Sequence, residues 1–229
     1  MLLNTDASAV LFDFGGTLDA DGIPWKDRVH RLFVDAGVVV PRERFDPVFH
    51  AADDALVGAL PSGASLQDTV ARLVDGVARG LELRDRAPAE RVARGFLDRA
   101  LESLAHNASL LERLAERYRL GIVSNFYGNL ERVCVDGGIR RYFTALVDSA
   151  AVGWEKPDPR IFRHALEALG VAPGAATFVG DSLPRDMAGA RAVGMRHIWL
   201  AGAGAAGARP CCRDDRVIHS LKDLEGLLL

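Results

Sequence analysis

Lysine is nearly missing from this chain. Its 229 residues carry 28 lysines and arginines, and only Lys26, Lys156 and Lys222 are lysine. Arginine supplies the ordinary surface charge, so a lysine inside a motif draws notice. Cysteine is as scarce: Cys134 stands alone and Cys211-Cys212 are adjacent. Three thiols make no disulfide framework, and two neighbours are no metal site by themselves, so a reducing, cytoplasmic setting is expected. No basic excess exists, since the formal net charge is -3, and nucleic acid is not an expected partner. No apolar run is long enough to span a membrane. The stretch Met1 to Val10 carries Asp6 and no basic region before a long apolar run, so no signal peptide is expected. His30, His50, His106, His164, His197 and His219 are scattered without ligand spacing and read as structural or surface residues.

What is there is a globular composition, 49% hydrophobic and 26% charged, long enough for one large domain or a domain with an insertion. The chain is organised around Val10-Leu11-Phe12-Asp13-Phe14-Gly15-Gly16-Thr17-Leu18. A short apolar run bounded by a turn signal suits a buried parallel strand. Asp13 then falls at the strand's carboxyl end, where open α/β sheets place their chemistry. Gly15 and Gly16 permit a sharp turn with backbone N–H groups near a ligand. Read alone, the stretch is equally a strand followed by a glycine turn and one solvated aspartate.

From Asp21 to Leu104 no strand is expected. Helical spacing runs from Pro24 to Gly37, from Pro41 to Leu56, from a cap at Ser65 to Leu81, and from Pro88 to Leu104. From Asn107 the rhythm becomes helix and strand in alternation. Strands are expected at Leu120–Val123, Ala145–Val147, Thr177–Val179, Arg196–Leu200 and Val217–Ile218. Helices are expected at Leu110–Tyr118, Leu130–Val135, Pro159–Leu169, Pro184–Val193 and from Leu221. Ala201 to Asp215, rich in small residues, reads as a mobile loop. Such alternation argues a Rossmann-like α/β core with a parallel sheet and right-handed crossovers. The expected organisation is a discontinuous core, residues 1–19 and 105–229, with an all-helical insertion at 20–104. Hinges would lie near Asp19–Ile23 and Ala105–Ser109.

Four strand ends carry polar residues: Asp13, Ser124 with Asn125, Lys156 in Glu155-Lys156-Pro157, and Asp181 with Asp186. Carboxyl ends of neighbouring parallel strands converge, so these groups can share one crevice. In this order and spacing, Phe12-Asp13-Phe14-Gly15-Gly16-Thr17-Leu18, Val123-Ser124-Asn125, Glu155-Lys156-Pro157 and Gly180-Asp181-Ser182 with Asp186 resemble the haloacid dehalogenase superfamily. The likeness covers nearly the whole chain, and the helical insertion looks like that family's C1-type cap. It implies a phosphatase-like hydrolase in which Asp13 is the nucleophile forming an aspartyl-phosphate. Asp13, Asp181, Asp186 and the Gly15 carbonyl would serve Mg²⁺. Ser124, Asn125 and Lys156 would assist catalysis, and Gly16, Thr17, Ser124 and Lys156 would hold the phosphoryl group. The implied partner is a small phosphorylated metabolite, on a monomer or homodimer.

The sequence departs from that pattern in one place. Most phosphatases of the superfamily carry a second aspartate two residues after the nucleophile, and here Gly15 stands instead. General acid–base catalysis contributes roughly 10²–10⁴-fold, so its loss weighs most on poor leaving groups. Asp19 and Asp21 are the candidate substitutes, although both read first as a polar hinge turn. Alternatives are a weak or inactive fold that binds a phosphorylated ligand and, more distantly, a dehalogenase or phosphonatase. The resemblance disfavours these last two. Dehalogenases of the family work without Mg²⁺, and Lys26, the only lysine of the helical insertion, sits too near the first motif for a phosphonatase lysine.

Overall fold

The structure is a computed structural model describing residues 7–202, 209–210 and 216–229. Six strands form one sheet: β1 (Ala9–Phe12), β2 (Arg119–Ser124), β3 (Ala145–Asp148), β4 (Ala176–Gly180), β5 (Arg196–Leu200) and β6 (Arg216–Ile218). Their order is β3-β2-β1-β4-β5-β6 and every pairing is parallel. Successive strands are added outward on one side of β1 and then, from β4, on the other. Such a reversal leaves a crevice at the carboxyl ends of β1 and β4.

The nine α-helices among the described residues are α1 (Trp25–Asp35), α2 (Arg42–Asp54), α3 (Leu66–Gly80), α4 (Ala87–Ala115), α5 (Leu130–Asp136), α6 (Ser149–Val152), α7 (Pro159–Leu169), α8 (Ala188–Ala192) and α9 (Glu225–Leu228). The expected all-helical stretch is present, with α1 to α4 between β1 and β2. Ser65 caps α3 as expected: its hydroxyl accepts from Asp68 N at 3.0 Å, and the Asp68 carboxylate accepts from Ser65 N at 3.1 Å. Two apolar clusters make the core. One joins Val10 and Phe12 on one sheet face to α4, α5 and the interior of α1 to α3. The other joins Leu11 and Val123 on the opposite face to Phe162 and Leu166 of α7. The result is a three-layer α/β sandwich.

Two expectations change. The break expected at Ala105–Ser109 is absent, and α4 runs unbroken through it. No glycine or proline interrupts that stretch, and Leu104, Asn107, Leu111 and Leu114 keep one buried face through it. Asn107, a polar residue that reads as a helix end, donates its side-chain amide to the Leu18 carbonyl at 3.0 Å. The helix expected at Pro184–Val193 is also divided, with a wide turn at Leu183–Met187 before α8. Cys211 and Cys212, and most of the loop expected at Ala201–Asp215, lie outside the described residues.

Cys134 is fully buried in the core, as expected, and burial pushes its thiol up to about 12. The thiolate is the reactive form. At neutral pH Cys134 should therefore escape alkylation in the native protein and react only after denaturation, a difference that peptide mass mapping reads directly.

Candidate active site

The turn after β1 is shaped by one glycine. Gly16 sits at φ +91°, a conformation that favours glycine, and a Cβ there would lie 2.7 Å from Asp181 Oδ2. The bare backbone lets the end of β1 approach the end of β4. Asp13 N donates to the Val179 carbonyl at 2.9 Å, extending the ladder by one residue and fixing where the carboxylate emerges.

Asp13 is buried at 6% exposure, and its Oδ1 accepts from Lys156 Nζ at 2.6 Å and Ser124 Oγ at 3.0 Å. Among the described residues no donor bonds Oδ2 of Asp13. Lys156 Nζ also lies 2.7 Å from Asp186 Oδ1. Asp181 completes the group: one carboxylate oxygen from each of Asp13, Asp181 and Asp186 lies within 4.8 Å of the others. The sequence expectation that Asp13, Ser124, Lys156, Asp181 and Asp186 share one place is what the geometry holds.

Three carboxyl groups share one ammonium, so their full ionisation would leave two uncompensated negative charges. Burial pulls the Lys156 ammonium down, but Asp13 and Asp186 outweigh burial and hold it above its ordinary value. Burial first, then the charges of Asp13 and Asp186, pushes the Asp181 carboxyl well above the aspartate range, against Lys156 and Arg185. The Asp181 residue as a whole is half-buried. Asp186 is raised as well, chiefly by burial, with Lys156 opposing. An all-oxygen set with excess negative charge suits a hard divalent cation such as Mg²⁺.

Other candidates occupy different places from those expected. Asn125 does not touch Asp13. Its amide clamps the Lys156 backbone, accepting from Lys156 N at 2.7 Å and donating to Lys156 O at 3.2 Å, so it positions the lysine. Gly16 N is spent on Asp19 Oδ1 at 2.7 Å and is not offered to a phosphate. The buried Thr17 hydroxyl lies 3.4 Å from Asp181 Oδ1 and supports that carboxylate. Neither substitute acid reaches the cavity. Asp19 is fully buried, and its Oδ2 takes Trp25 Nε1 at 2.7 Å and Arg28 Nη1 at 2.6 Å. Asp21 faces the other way, accepting from Leu221 N at 3.3 Å. In the fold the Asp19 carboxylate anchors α1 through Trp25 and Arg28.

Over Asp13 opens a cavity of about 530 Å³, lined also by Gly15, Trp25, Lys26, Phe49, His50, Asp53, Phe126, Tyr127 and Arg185. Trp25 covers Gly15: a Cβ at position 15 would lie 3.2 Å from its Nε1. Phe126 and Tyr127 follow β2 in a loop stapled from the end of β3. Asp148 accepts from Gly128 N at 2.8 Å and Leu130 N at 3.1 Å, and Ser149 Oγ accepts from Phe126 N at 3.1 Å. Burial, against those backbone hydrogen bonds, raises the Asp148 carboxyl. Asp53, Tyr127 and Asp148 escape a motif reading because their neighbours depend on how α2 and β3 pack; the only signal was the polar Asp148-Ser149 pair at a strand end.

A family model of haloacid dehalogenase-like hydrolases matches residues 7–194. The chain belongs to this hydrolase family. Its likeness to haloacid dehalogenase-like hydrolase domain-containing protein 3 of Bos taurus is 46% identity over 84 residues, covering 37% of this chain and 34% of that protein. The chain thus spans about a third of that relative's length. The phosphoglycolate phosphatase of Rhodospirillum rubrum is 32% identical over 198 residues, covering 82% of this chain and 76% of that enzyme. Among solved structures, a haloacid dehalogenase-type phosphatase from Thermococcus onnurineus superposes with a TM-score of 0.59 at 25% identity, covering 96% of both chains. Among the described residues of this hydrolase, no helix is long and apolar enough to cross a membrane.

Proposed function

We propose that the chain is a Mg²⁺-dependent phosphohydrolase that acts on a small phosphorylated metabolite through an aspartyl-phosphate at Asp13, with residues 20–104 serving as the cap over its crevice. The observation that carries this reading is the division of labour on one carboxylate. Oδ1 of Asp13 is held by Lys156 and Ser124, while Oδ2 carries no hydrogen bond from the described residues. A nucleophile fixed at one oxygen and unencumbered at the other meets the demand of in-line displacement. Phosphatase-named relatives support the same reaction class.

In the first displacement Oδ2 of Asp13 bonds to phosphorus as the ester oxygen leaves. In the second, water attacks phosphorus, inorganic phosphate forms and the carboxylate is restored. Lys156 and Ser124 hold the nucleophile at the required angle, and the lysine's charge meets the negative charge spread over the phosphoryl oxygens. A Mg²⁺ ion held by Asp13, Asp181, Asp186 and the Gly15 carbonyl would lower the repulsion between carboxylate and phosphate dianion. Asn125 would act by holding Lys156. The aromatic wall of Trp25, Phe126 and Tyr127 limits water.

The test is metal removal. A ligand at a hundred times its Kd stabilises the folded state by about 2.7 kcal/mol, or roughly 5–10 °C in midpoint for a chain of this length. Adding Mg²⁺ to metal-free protein should produce such a rise, Asp181→Asn should suppress it, and chelation should stop hydrolysis of p-nitrophenyl phosphate. Turnover indifferent to chelator would overturn the proposal.

A further inference from the structure

With Gly15 lacking a side chain and Asp19 and Asp21 turned away, the proton for the leaving group needs another source. Four carboxylates line the cavity: Asp13, Asp27, Asp53 and Asp186. Asp13 is the proposed nucleophile, and Asp186 lies against Lys156. Asp27 is paired with Arg42 at 2.6 Å. Asp53 remains. It sits in the last turn of α2, one helical turn beyond Phe49 and His50, and all three side chains line the cavity. No ion pair neutralises it among the described residues. Its partner is the Tyr127 hydroxyl, which donates to Asp53 Oδ1 from the loop that follows β2. The contact therefore joins the helical insertion to the strand end beside Asp13.

We infer that Asp53 is the general acid and base of this hydrolase, doing from α2 what an aspartate at position 15 would do in most phosphatases of the superfamily, with Tyr127 as its positioning residue. This rests on the phosphohydrolase reading above. In the first displacement the Asp53 carboxylic acid gives its proton to the departing alkoxide, which leaves as the alcohol. In the second, the Asp53 carboxylate takes a proton from the attacking water while the Asp13–phosphorus bond breaks. Asp53 ends protonated, Asp13 ends as a carboxylate, and phosphate is released.

The surroundings suit that cycle. Burial leads in raising the Asp53 carboxyl above its ordinary value, and Asp54 adds to the rise. The hydrogen bond from Tyr127 opposes it, as do His50 on the same helix and Arg185 on the turn after β4. A raised carboxyl holds its proton nearer to neutrality, where an acid catalyst is needed.

A series of phosphate monoesters running from p-nitrophenyl through phenyl to simple alkyl tests the assignment, because only poor leaving groups need the proton. Asp53→Asn should lower kcat on alkyl esters on the order of 10²-fold, and the loss should shrink steadily toward p-nitrophenyl phosphate. Tyr127→Phe should steepen the same dependence by a smaller amount. In metal-free protein, carbon NMR of the Asp53 carboxyl should give a titration above the ordinary aspartate range, moving higher still in Tyr127→Phe. A loss by Asp53→Asn that is equal across the series, or no loss on alkyl esters, overturns the assignment while leaving the phosphohydrolase reading intact. Turnover that survives Asp13→Asn overturns that reading, and the assignment with it.

Discussion

Asp13→Asn is expected to abolish phosphomonoester hydrolysis, by on the order of 10⁴-fold or more, as removal of a nucleophile does when the remaining groups work as a unit with it. An amide keeps the shape of the carboxylate and an oxygen able to accept from Ser124 and Lys156, so the pocket's outline is retained. What goes is the negative oxygen that would form the bond to phosphorus. The same substitution should not weaken the fold. It removes one of three clustered carboxylates that push against one another, and Lys156 keeps its 2.7 Å contact with Asp186. Loss of turnover with an unfolding midpoint equal to or above that of the metal-free parent is the expected pair of results. Residual turnover within tenfold of the parent, measured on p-nitrophenyl phosphate with Mg²⁺, would move the chemistry away from Asp13.

The two central strands and the carboxylates at their ends are legible in the sequence for one reason: β1 and β4 are short apolar runs stopped by a polar residue. Ala9–Phe12 is stopped by Asp13 and Ala176–Gly180 by Asp181. The parallel sheet then brings their ends together whatever the intervening helices do. Contacts made by a helix face are less legible. The spacing of Phe45, Phe49 and Ala52 identifies a buried stripe on α2, but it does not say that the residue beside the stripe, Asp53, meets a tyrosine of the strand-end loop. Asp19 shows the opposite failure. A carboxylate three residues past a glycine pair looks solvent-facing in sequence. In the fold Arg28 arrives from α1 with its guanidinium stacked 4.0 Å over the Phe96 ring, so the charge is enclosed. Thr17 and Gly16 follow suit: their polar groups are spent inside the turn, on Asp181 and Asp19. The hinge expected near Ala105 misread a polar face as an end, although Leu104 and Leu111 continue the buried stripe past it.

Lys156→Met carries the second large effect, on stability and on chemistry at once. The Lys156 side chain is 3% exposed, with Nζ 2.6 Å from Asp13 and 2.7 Å from Asp186. Methionine fills nearly the same volume along the Phe178 ring, over which the ammonium sits at 5.5 Å, so packing changes little and charge changes fully. Three carboxylates then face each other without a cation. Breaking a buried ion pair by removing one partner costs about 3–5 kcal/mol, and urea unfolding of the metal-free variant should show a loss of that size. Divalent cation should restore part of it, because an ion on Asp13, Asp181 and Asp186 would answer the same excess charge. Turnover should not return with stability. The phosphoryl oxygens would still lack the positive charge aimed at them, and removal of one preorganised donor of this kind lowers kcat on the order of 10²–10³-fold. A Lys156→Met protein as stable as its parent without metal would mean that the carboxylates are already protonated and do not need the lysine. One that is destabilised yet turns over normally in Mg²⁺ would reduce Lys156 to a structural counter-ion. The scarcity of lysine bears on the choice between these outcomes. Arginine supplies nearly all other positive charge in the chain, and its planar fork spreads charge over a wider group than an ammonium does. A compact point charge shared between Asp13 and Asp186 is what this position requires.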